Sequence, residues 1–170
     1  MLSGVSPVPP GLIETIEAAG HRVSRAPEGW TTSNDSAVAT IIAQYLISST
    51  RTEFLRNVRR SELEGQFSLR IDSGLSYNGK LFQIDPASTA NINAMATFAL
   101  TGDPWPTGFY WLATDNSHVL MSAGDMLAFG RAAALYVSAL ILRRRTLKDA
   151  LEAAASPEAV LAVDVTTGWP

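Results

Sequence analysis

The residues with the most direct catalytic potential are the two histidines, His21 and His118. Asp115 and Ser117 precede His118 closely, so a general base with a carboxylate and a hydroxyl can be drawn at one place in the chain. Neither histidine belongs to a motif with metal-ligand spacing. Ser117 and Ser122 are also typical turn and helix N-cap residues, which is the simpler interpretation. A small hydrolase built around His118 with Asp115 stays open as an alternative.

No other pattern in the sequence indicates an active site or a cofactor. The segment Gly74–Gly79 is rich in glycine, but it lacks both the G-x-S-x-G elbow and the lysine of a phosphate-binding loop. The absence of cysteine excludes disulfides, thiolate metal sites and a cysteine nucleophile. We therefore predict a protein that is not an enzyme and that uses no cofactor and no metal.

The charge pattern argues against nucleic acid and membranes as partners. A net charge of −3 provides no general attraction for phosphate backbones or anionic lipids. Arginines 51, 56, 59 and 60 form one cluster and Arg143–Arg145 another; either could touch phosphate, but a solvated helix flank or a helix C-terminus explains them better. The longest apolar stretch, Ala132–Leu142, has eleven residues, well short of the roughly 20 that span a bilayer. Met1–Pro10 has no lysine or arginine, so we expect no secretion signal.

The elements that must position these residues begin with helices. Helical spacing and a following glycine predict a short helix over Leu12–Ala19, and a loop follows over His21–Thr32. From Asp35 to about Glu64 there is neither glycine nor proline, which predicts one long amphipathic helix of about 45 Å. A helix of that length either reaches a second copy of the chain or lies on its own domain, with the polar residues Ser48–Thr50 interrupting its apolar stripe.

Downstream, the hydrophobic periodicity alternates between strands and helices. Alternation over Phe67–Ile71 predicts a strand, Asn78-Gly79 predicts the turn of a hairpin, and Asp85-Pro86 opens a helix to about Leu100. A second hairpin is predicted over Phe109–Met121. Three further helices are predicted, over 126–142, 147–155 and 157–163, the last capped by Ser156. Because hairpins alternate with helices, we predict an α+β fold with antiparallel hairpins and a long N-terminal amphipathic helix.

These elements suggest two domains, a helical segment over 1–66 and an α+β domain over 67–170. The predicted core of the second domain contains Phe82, Ile84, Trp111, Met126, Leu127, Phe129, Leu135, Leu140 and Ile141. Aromatic and arginine side chains are the usual anchors of protein interfaces. The candidate interface residues are Tyr45, Phe54, Arg56, Trp105 and Trp169.

Three groups of residues in the second domain resemble a known pattern. They are the stretch from Tyr77-Asn78-Gly79-Lys80 to Asp85, the stretch from Trp111 through Asp115-Asn116 to Met121, and the stretch Leu147–Ala154 with the closing Gly168-Trp169-Pro170. The order and spacing of these groups, over about Phe67–Pro170, resemble an uncharacterised domain family of tailed-bacteriophage and prophage tail proteins.

The resemblance implies a structural part of the virion, in the tail fibre or baseplate, that acts through contacts with other phage tail, baseplate or fibre proteins. We also expect a homo-oligomer, because the long predicted helix can reach a second copy of the chain. It places the protein in the virion tail, and in the host cytoplasm during assembly. No long repetitive segment accompanies the domain, which favours a small adaptor over a fibre shaft. The alternative is a tail-fibre assembly chaperone that is absent from the mature virion.

Overall fold

The computed structural model describes residues 11–26, 29–32, 35–46 and 49–170. These residues combine helices with two-stranded antiparallel sheets, which confirms the predicted α+β class. In chain order the elements are α1 (Leu12–Ala18), β1 (Val23–Ala26), β2 (Gly29–Thr32), α2 (Asp35–Leu46), α3 (Ser49–Asp72), β3 (Leu75–Tyr77), β4 (Lys80–Phe82), α4 (Pro86–Leu100), β5 (Tyr110–Leu112), β6 (His118–Leu120), α5 (Ala123–Ala153) and α6 (Pro157–Ala162).

Each strand pairs with its neighbour in sequence to form a hairpin. The β3–β4 turn is made by Asn78 and Gly79 with φ angles of 49° and 75°, the left-handed conformation that a type I′ turn requires. In the β5–β6 hairpin, Tyr110 lies opposite Leu120. The β1–β2 hairpin lies where the sequence predicts a loop, so that prediction is wrong; its turn residues fall outside the described ranges.

The chain divides into two compact units. The first comprises the residues up to Ser61 together with Ala150–Asp164, and the second comprises Glu62–Asp149 together with Val165–Pro170. These boundaries fall inside α3 and α5. The domain boundary expected between residues 66 and 67 also lies in α3, five residues beyond the boundary between Ser61 and Glu62.

The first unit has a small hydrophobic core between α1 and α2. Leu12 and Ile16 from α1 meet Val38 and Tyr45 from α2, and all four side chains are buried. At the end of α5, the Arg56 guanidinium donates hydrogen bonds to the carbonyl oxygens of Leu151 and Ala154. A cation at this place satisfies carbonyls that the helix leaves without partners.

The second unit has a larger core that is rich in aromatic rings. Phe129 of α5 lies at its centre, with its ring centroid 4.7 Å from that of Phe82 and 5.3 Å from that of Tyr77. The ring of Trp111 meets Phe129 edge-on at 6.2 Å. The two hairpins β3–β4 and β5–β6 therefore pack against one face of α5, and α4 joins them through Ile92.

The long helix predicted over Asp35–Glu64 is wrong as a single element. α2 ends at Leu46 and α3 begins at Ser49, within the polar Ser48–Thr50 stretch. Serine and threonine side chains compete for backbone hydrogen bonds and favour helix ends over helix interiors. The prediction that one helix of about 45 Å reaches a second copy loses its basis.

The strand predicted over Phe67–Ile71 is also wrong, because α3 continues to Asp72. Phe67 and Ile71 are four residues apart and both pack on the core of the second unit, as helical spacing allows. Gly74 lies two residues beyond the end of α3; its φ of +77° suits a left-handed cap, and its N–H donates to the carbonyl of Ile71.

The helices predicted over 126–142 and 147–155 are one helix, α5, of 31 residues. No glycine or proline separates the two segments, and Arg145 pairs with Asp149 one turn later at 2.9 Å. Leu147 is buried, so packing also favours continuation through the arginine cluster. α5 ends at Ala153, and Ser156 caps α6 as predicted.

Two predicted core residues of α5, Leu135 and Ile141, are exposed. The core covers one side of the helix only, through Met126, Phe129 and Leu140. By length and composition α5 is apolar enough to cross a membrane, a property that it shares with core helices of soluble proteins.

Candidate protein-binding surface

The structure places His118 and Asp115 in different interactions. The His118 ring stacks on Tyr110, with centroids 3.9 Å apart and planes 8° from parallel. The Asp115 carboxylate instead accepts hydrogen bonds from the Ser117 backbone N–H at 2.9 Å, from the Ser117 hydroxyl and from Lys80 Nζ at 3.0 Å. The Ser117 hydrogen bonds and the Lys80 ammonium hold the pKa of Asp115 well below its usual range. Asp115 therefore fixes a turn, and its described partners do not include His118.

Ser122 and Asp125 form a capping box at the start of α5. The Ser122 N–H donates to Asp125 Oδ2 at 2.9 Å, and the Asp125 N–H donates to Ser122 Oγ at 3.2 Å. The Ser122 hydroxyl also donates to Asp125 Oδ2, and this bond together with that from the Ser122 N–H lowers the pKa of the Asp125 carboxyl. The arrangement supports the N-cap interpretation of Ser122. Within the described ranges, no three histidine, aspartate or glutamate side chains converge as a metal site would require.

The first arginine cluster is bound to the protein itself. Besides the bonds that Arg56 donates to helix carbonyls, the Arg59 guanidinium donates to the carbonyl of Leu161 at 3.1 Å. Arg60 pairs with Glu152 and with Glu53. The cluster thus joins segments of the first unit instead of presenting a row of free cations to phosphate.

The second arginine cluster has the same character. Arg143 donates to the carbonyl of Thr167, and Arg144 pairs with Glu64 at 2.6 Å while its guanidinium lies 4.8 Å from the centroid of the Phe67 ring. Burial raises the pKa of Glu64, but hydrogen bonds from Lys148 and Arg144 outweigh it and leave the value lowered. These contacts tie α5 to α3 and to the C-terminal segment.

The candidate interface residues predicted from the sequence lie mostly in the interior. Tyr45 is buried in the first unit, and this burial raises the pKa of its phenol. The indole N–H of Trp105 donates to the carbonyl of Met121 at 2.8 Å, and that of Trp169 donates to Val165 at 3.0 Å. Phe54 is half-buried, as is Arg56. The interface role of these five residues stays a prediction, but their side chains are engaged within the chain.

The β5–β6 hairpin presents a different set of apolar side chains to solvent. Tyr110, Leu112, His118 and Leu120 are all exposed, and Leu120 is 74% accessible. They occupy alternate positions of paired strands, so they share one face of the hairpin. Trp111 and Val119, which point the other way, pack on the core. We call the four exposed residues the hairpin face. The alternation of residues along the predicted hairpin could have identified the hairpin face, once it was known which side of the hairpin packs on the core.

A groove of about 550 Å³ adjoins the hairpin face. The polar residues Gln83, Ser88 and Asn91 line one part, and residues Thr107–Leu112 line the other. No charged residue lines it.

The β5 strand offers this groove an open hydrogen-bonding edge. Met121 donates its N–H to Phe109 and Ala113 donates to Ser117, so residues 109, 111 and 113 are those that bond to β6. The N–H and C=O groups of Tyr110 and Leu112 consequently point to the opposite edge. Within the described residues, one backbone hydrogen bond joins the segment after β5 to β4. The Thr114 N–H donates it to the carbonyl oxygen of Leu81, at 2.9 Å.

The chain belongs to a family defined as a domain of unknown function (DUF4376), whose model matches residues 54–167. No curated protein and no solved structure matches it significantly. The matched range contains α4, α5 and both hairpins of the second unit.

Proposed function

We propose that this protein is a structural component of a bacteriophage tail, an adaptor of the fibre or baseplate that acts through contacts with other tail proteins. The observation that carries the proposal is the hairpin face, an exposed apolar and aromatic surface that lies within Phe67–Pro170, the part of the sequence whose resemblance to phage tail proteins implies this role. Clustered exposed apolar side chains of this kind mark interaction sites more often than isolated ones do.

The chemistry of the hairpin indicates how a partner would bind. The open edge of β5 offers the N–H and C=O groups of Tyr110 and Leu112 to an extended segment, which can add as a further strand. Tyr110 and Leu120 supply rigid and apolar contact area beside that edge. The uncharged groove lining favours a partner segment without charged side chains.

The distribution of polar groups supports a binding role over catalysis. Asp115, Ser117, Ser122 and Asp125 each take part in a turn or a helix cap, and His118 stacks on Tyr110. The arginine clusters hold the fold together through carbonyls and carboxylates. What is left exposed on the hairpin is apolar surface, which suits a partner protein.

The test is complementation of a phage or prophage whose copy of this gene has been deleted. Wild-type protein supplied in trans should restore complete tails, and Leu120→Lys should not, because a lysine on the hairpin face prevents apolar docking. Leu100→Lys is the matched control, since Leu100 is 72% accessible at the end of α4 and lies outside the hairpin face. Equal tail yields from the two variants would overturn the assignment of the surface.

Presence in the finished particle separates the adaptor from the assembly chaperone. An adaptor stays with purified virions, whereas a chaperone restores assembly and is absent from them. Restored tails without the protein in particles would overturn the structural role.

A further inference from the structure

The hairpins β3–β4 and β5–β6 meet just after β5 and separate along β5 itself. The hydrogen bond from the Thr114 N–H to the carbonyl oxygen of Leu81 joins them. Further back along β5, the groove of about 550 Å³ takes the place of a strand contact, and its lining includes both Gln83, the residue after β4, and Tyr110–Leu112. A gap therefore lies between β4 and β5, and Thr114 closes one end of it.

The β5 side of this gap offers free backbone groups to a ligand. They are the N–H and C=O groups of Tyr110 and Leu112, and within the described ranges no backbone hydrogen bond outside the β5–β6 pairing uses them. An antiparallel segment can bond to all of these groups, with two bonds opposite each residue. Thr114, the next residue that points this way, is already bonded to Leu81. The contact therefore covers about four residues of the segment, or ~13 Å of extended chain.

The β5 edge lacks the features that normally prevent strand addition. Natural edge strands carry charged side chains, proline or a bulge, or another element covers them. The three residues of β5 are Tyr110, Trp111 and Leu112, their pairing with β6 is continuous, and no charged residue lines the groove. An edge in this state is a template for another extended chain.

The two sides of the gap differ in their chemistry. α4 lies on the core side of β5, where Trp111 packs, and it contributes Ser88 and Asn91 to the groove. Tyr110 and Leu112 are exposed on the opposite side. Because successive side chains of a strand point to opposite faces, a segment in the gap would direct alternate side chains toward the polar residues of α4 and the others outward beside Tyr110 and Leu112.

From these observations we infer that a partner protein inserts an extended, uncharged segment between β4 and β5. The backbone of the segment bonds to Tyr110 and Leu112, and its hydroxyl or amide side chains alternate with apolar ones. The inference deepens the proposed function and rests on it for the partner, a tail protein. The binding of such a segment is testable on the isolated protein.

The first test uses the purified full-length protein and the capped peptide acetyl-Thr-Val-Thr-Val-Thr-amide. At saturating peptide, hydrogen exchange measured by NMR should slow by about tenfold or more at the Tyr110 and Leu112 amides, because both become hydrogen-bonded. The Trp111 amide, which already faces β6, is the internal control and should change far less. The peptide acetyl-Lys-Val-Lys-Val-Lys-amide has the same alternation with charged side chains, and should not protect either amide.

The outcomes that contradict the inference are specific. Unchanged exchange at Tyr110 and Leu112, or equal protection by the two peptides, would overturn it. Protection of both amides in the protein alone, increasing with protein concentration, would also overturn it and would assign the gap to a second copy of the chain.

A proline at position 112 tests whether the backbone edge is what the partner recognises. Leu112→Pro removes the N–H that faces the gap, and an edge strand tolerates this change because that N–H does not bond to β6. Leu112→Val is the matched control, since it keeps the N–H and an apolar side chain of similar size. In the complementation assay, Leu112→Val should restore complete tails and Leu112→Pro should not. Circular dichroism on each variant confirms folding.

Asn91→Arg is a second variant, which does not depend on how the hairpin accommodates proline. It places a charge in the groove, whereas Ala94→Arg, exposed on the same helix but outside the groove lining, is its control. Asn91→Arg should fail to restore tails, and Ala94→Arg should restore them. Equal tail yields within either pair of variants would overturn strand insertion and leave the proposed function intact. Failure of the wild-type protein itself to restore tails would instead overturn the proposed function.

Discussion

At the scale of single residues, Gly130 decides how closely α5 approaches α4. A Cβ atom at this position would lie 2.7 Å from the Cβ of Ala96, a distance that requires one helix to move. We expect Gly130→Ala to lower the free energy of unfolding by about 1–3 kcal/mol, because overpacking outweighs the helix propensity gained. Urea denaturation followed by circular dichroism measures the change.

Gly65 provides the matched control for that substitution. It also lies inside a long helix, α3, but a Cβ atom there meets nothing within 4 Å. Gly65→Ala should therefore stabilise the protein by about 0.5–1 kcal/mol through helix propensity alone. If both substitutions stabilise equally, the close contact between α4 and α5 does not exist.

The depressed pKa of Asp115 predicts a dependence of stability on acid. Its hydrogen bonds from Ser117 and its pairing with Lys80 favour the carboxylate in the folded state, so the unfolded chain binds the proton more readily. The stabilisation is complete above the unfolded pKa, about 3.9, and is lost as the pH falls through the folded value. When the pH falls from 7 to 2, Asp115→Asn should lose less stability than the wild type. The urea midpoint of each protein at each pH measures the loss. Parallel pH profiles would contradict this account.

At the scale of elements, the end of α5 depends on Arg56. Its guanidinium donates 3.0 Å hydrogen bonds to the carbonyl oxygens of Leu151 and Ala154, which no further helical turn can satisfy. Arg56→Met keeps much of the aliphatic packing but removes both bonds, and should cost about 1.5–3 kcal/mol in the free energy of unfolding. Hydrogen exchange at the end of α5 should accelerate.

Arg70→Met, also in α3, is the control. Among the side-chain hydrogen bonds of the described residues, none involves the Arg70 guanidinium, so we expect a change within about 0.5 kcal/mol. An equal loss of stability in both variants would mean that the helix-end contact of Arg56 contributes nothing specific.

Elements with strong local signals could be predicted from the sequence. Asn78-Gly79 forms its hairpin turn, Asp85 caps α4 by accepting hydrogen bonds from the backbone N–H groups of Ala87 and Ser88, and Ser156 caps α6. In each case a side chain or a backbone preference acts over two or three residues, so distant packing is not needed to set the geometry.

Elements that depend on distant contacts could not be predicted. Phe67–Ile71 alternates like a strand, but its side chains reach the core only as part of α3, where Phe67 meets Trp169 at 6.5 Å. α5 continues through Arg143–Arg145 because each arginine finds a partner in the fold, on Thr167, Glu64 or Asp149. Asp149 is a neighbour in the same helix, but Thr167 and Glu64 lie far away in the sequence, so local periodicity cannot reveal them.

At the scale of the whole molecule, residue type alone did not locate the exposed surfaces. Trp105 and Trp169 were candidates as aromatic anchors, yet each donates its indole N–H to a backbone carbonyl and packs on the core. The sequence predicts Leu135 in the core, yet it is exposed on the outer side of α5. Which side of a helix or hairpin meets the core is a tertiary property, so the candidate binding surfaces emerged only from the fold.

The second unit thus carries two distinct exposed apolar surfaces. The hairpin face with its open β5 edge is one of them, and we propose that it contacts another tail protein, as an adaptor requires. The outer side of α5 is the other, where Leu135, Ile141 and Leu142 are exposed.

We propose that this protein is a structural component of a phage tail that stays in the finished particle. Quantitative mass spectrometry of purified particles from the phage or prophage that encodes it tests this proposal most directly. The measured quantity is its copy number relative to a tail-tube protein of the same particle. We expect a fixed ratio that is reproducible between preparations. Absence from particles, in cells that express the protein, would contradict the claim.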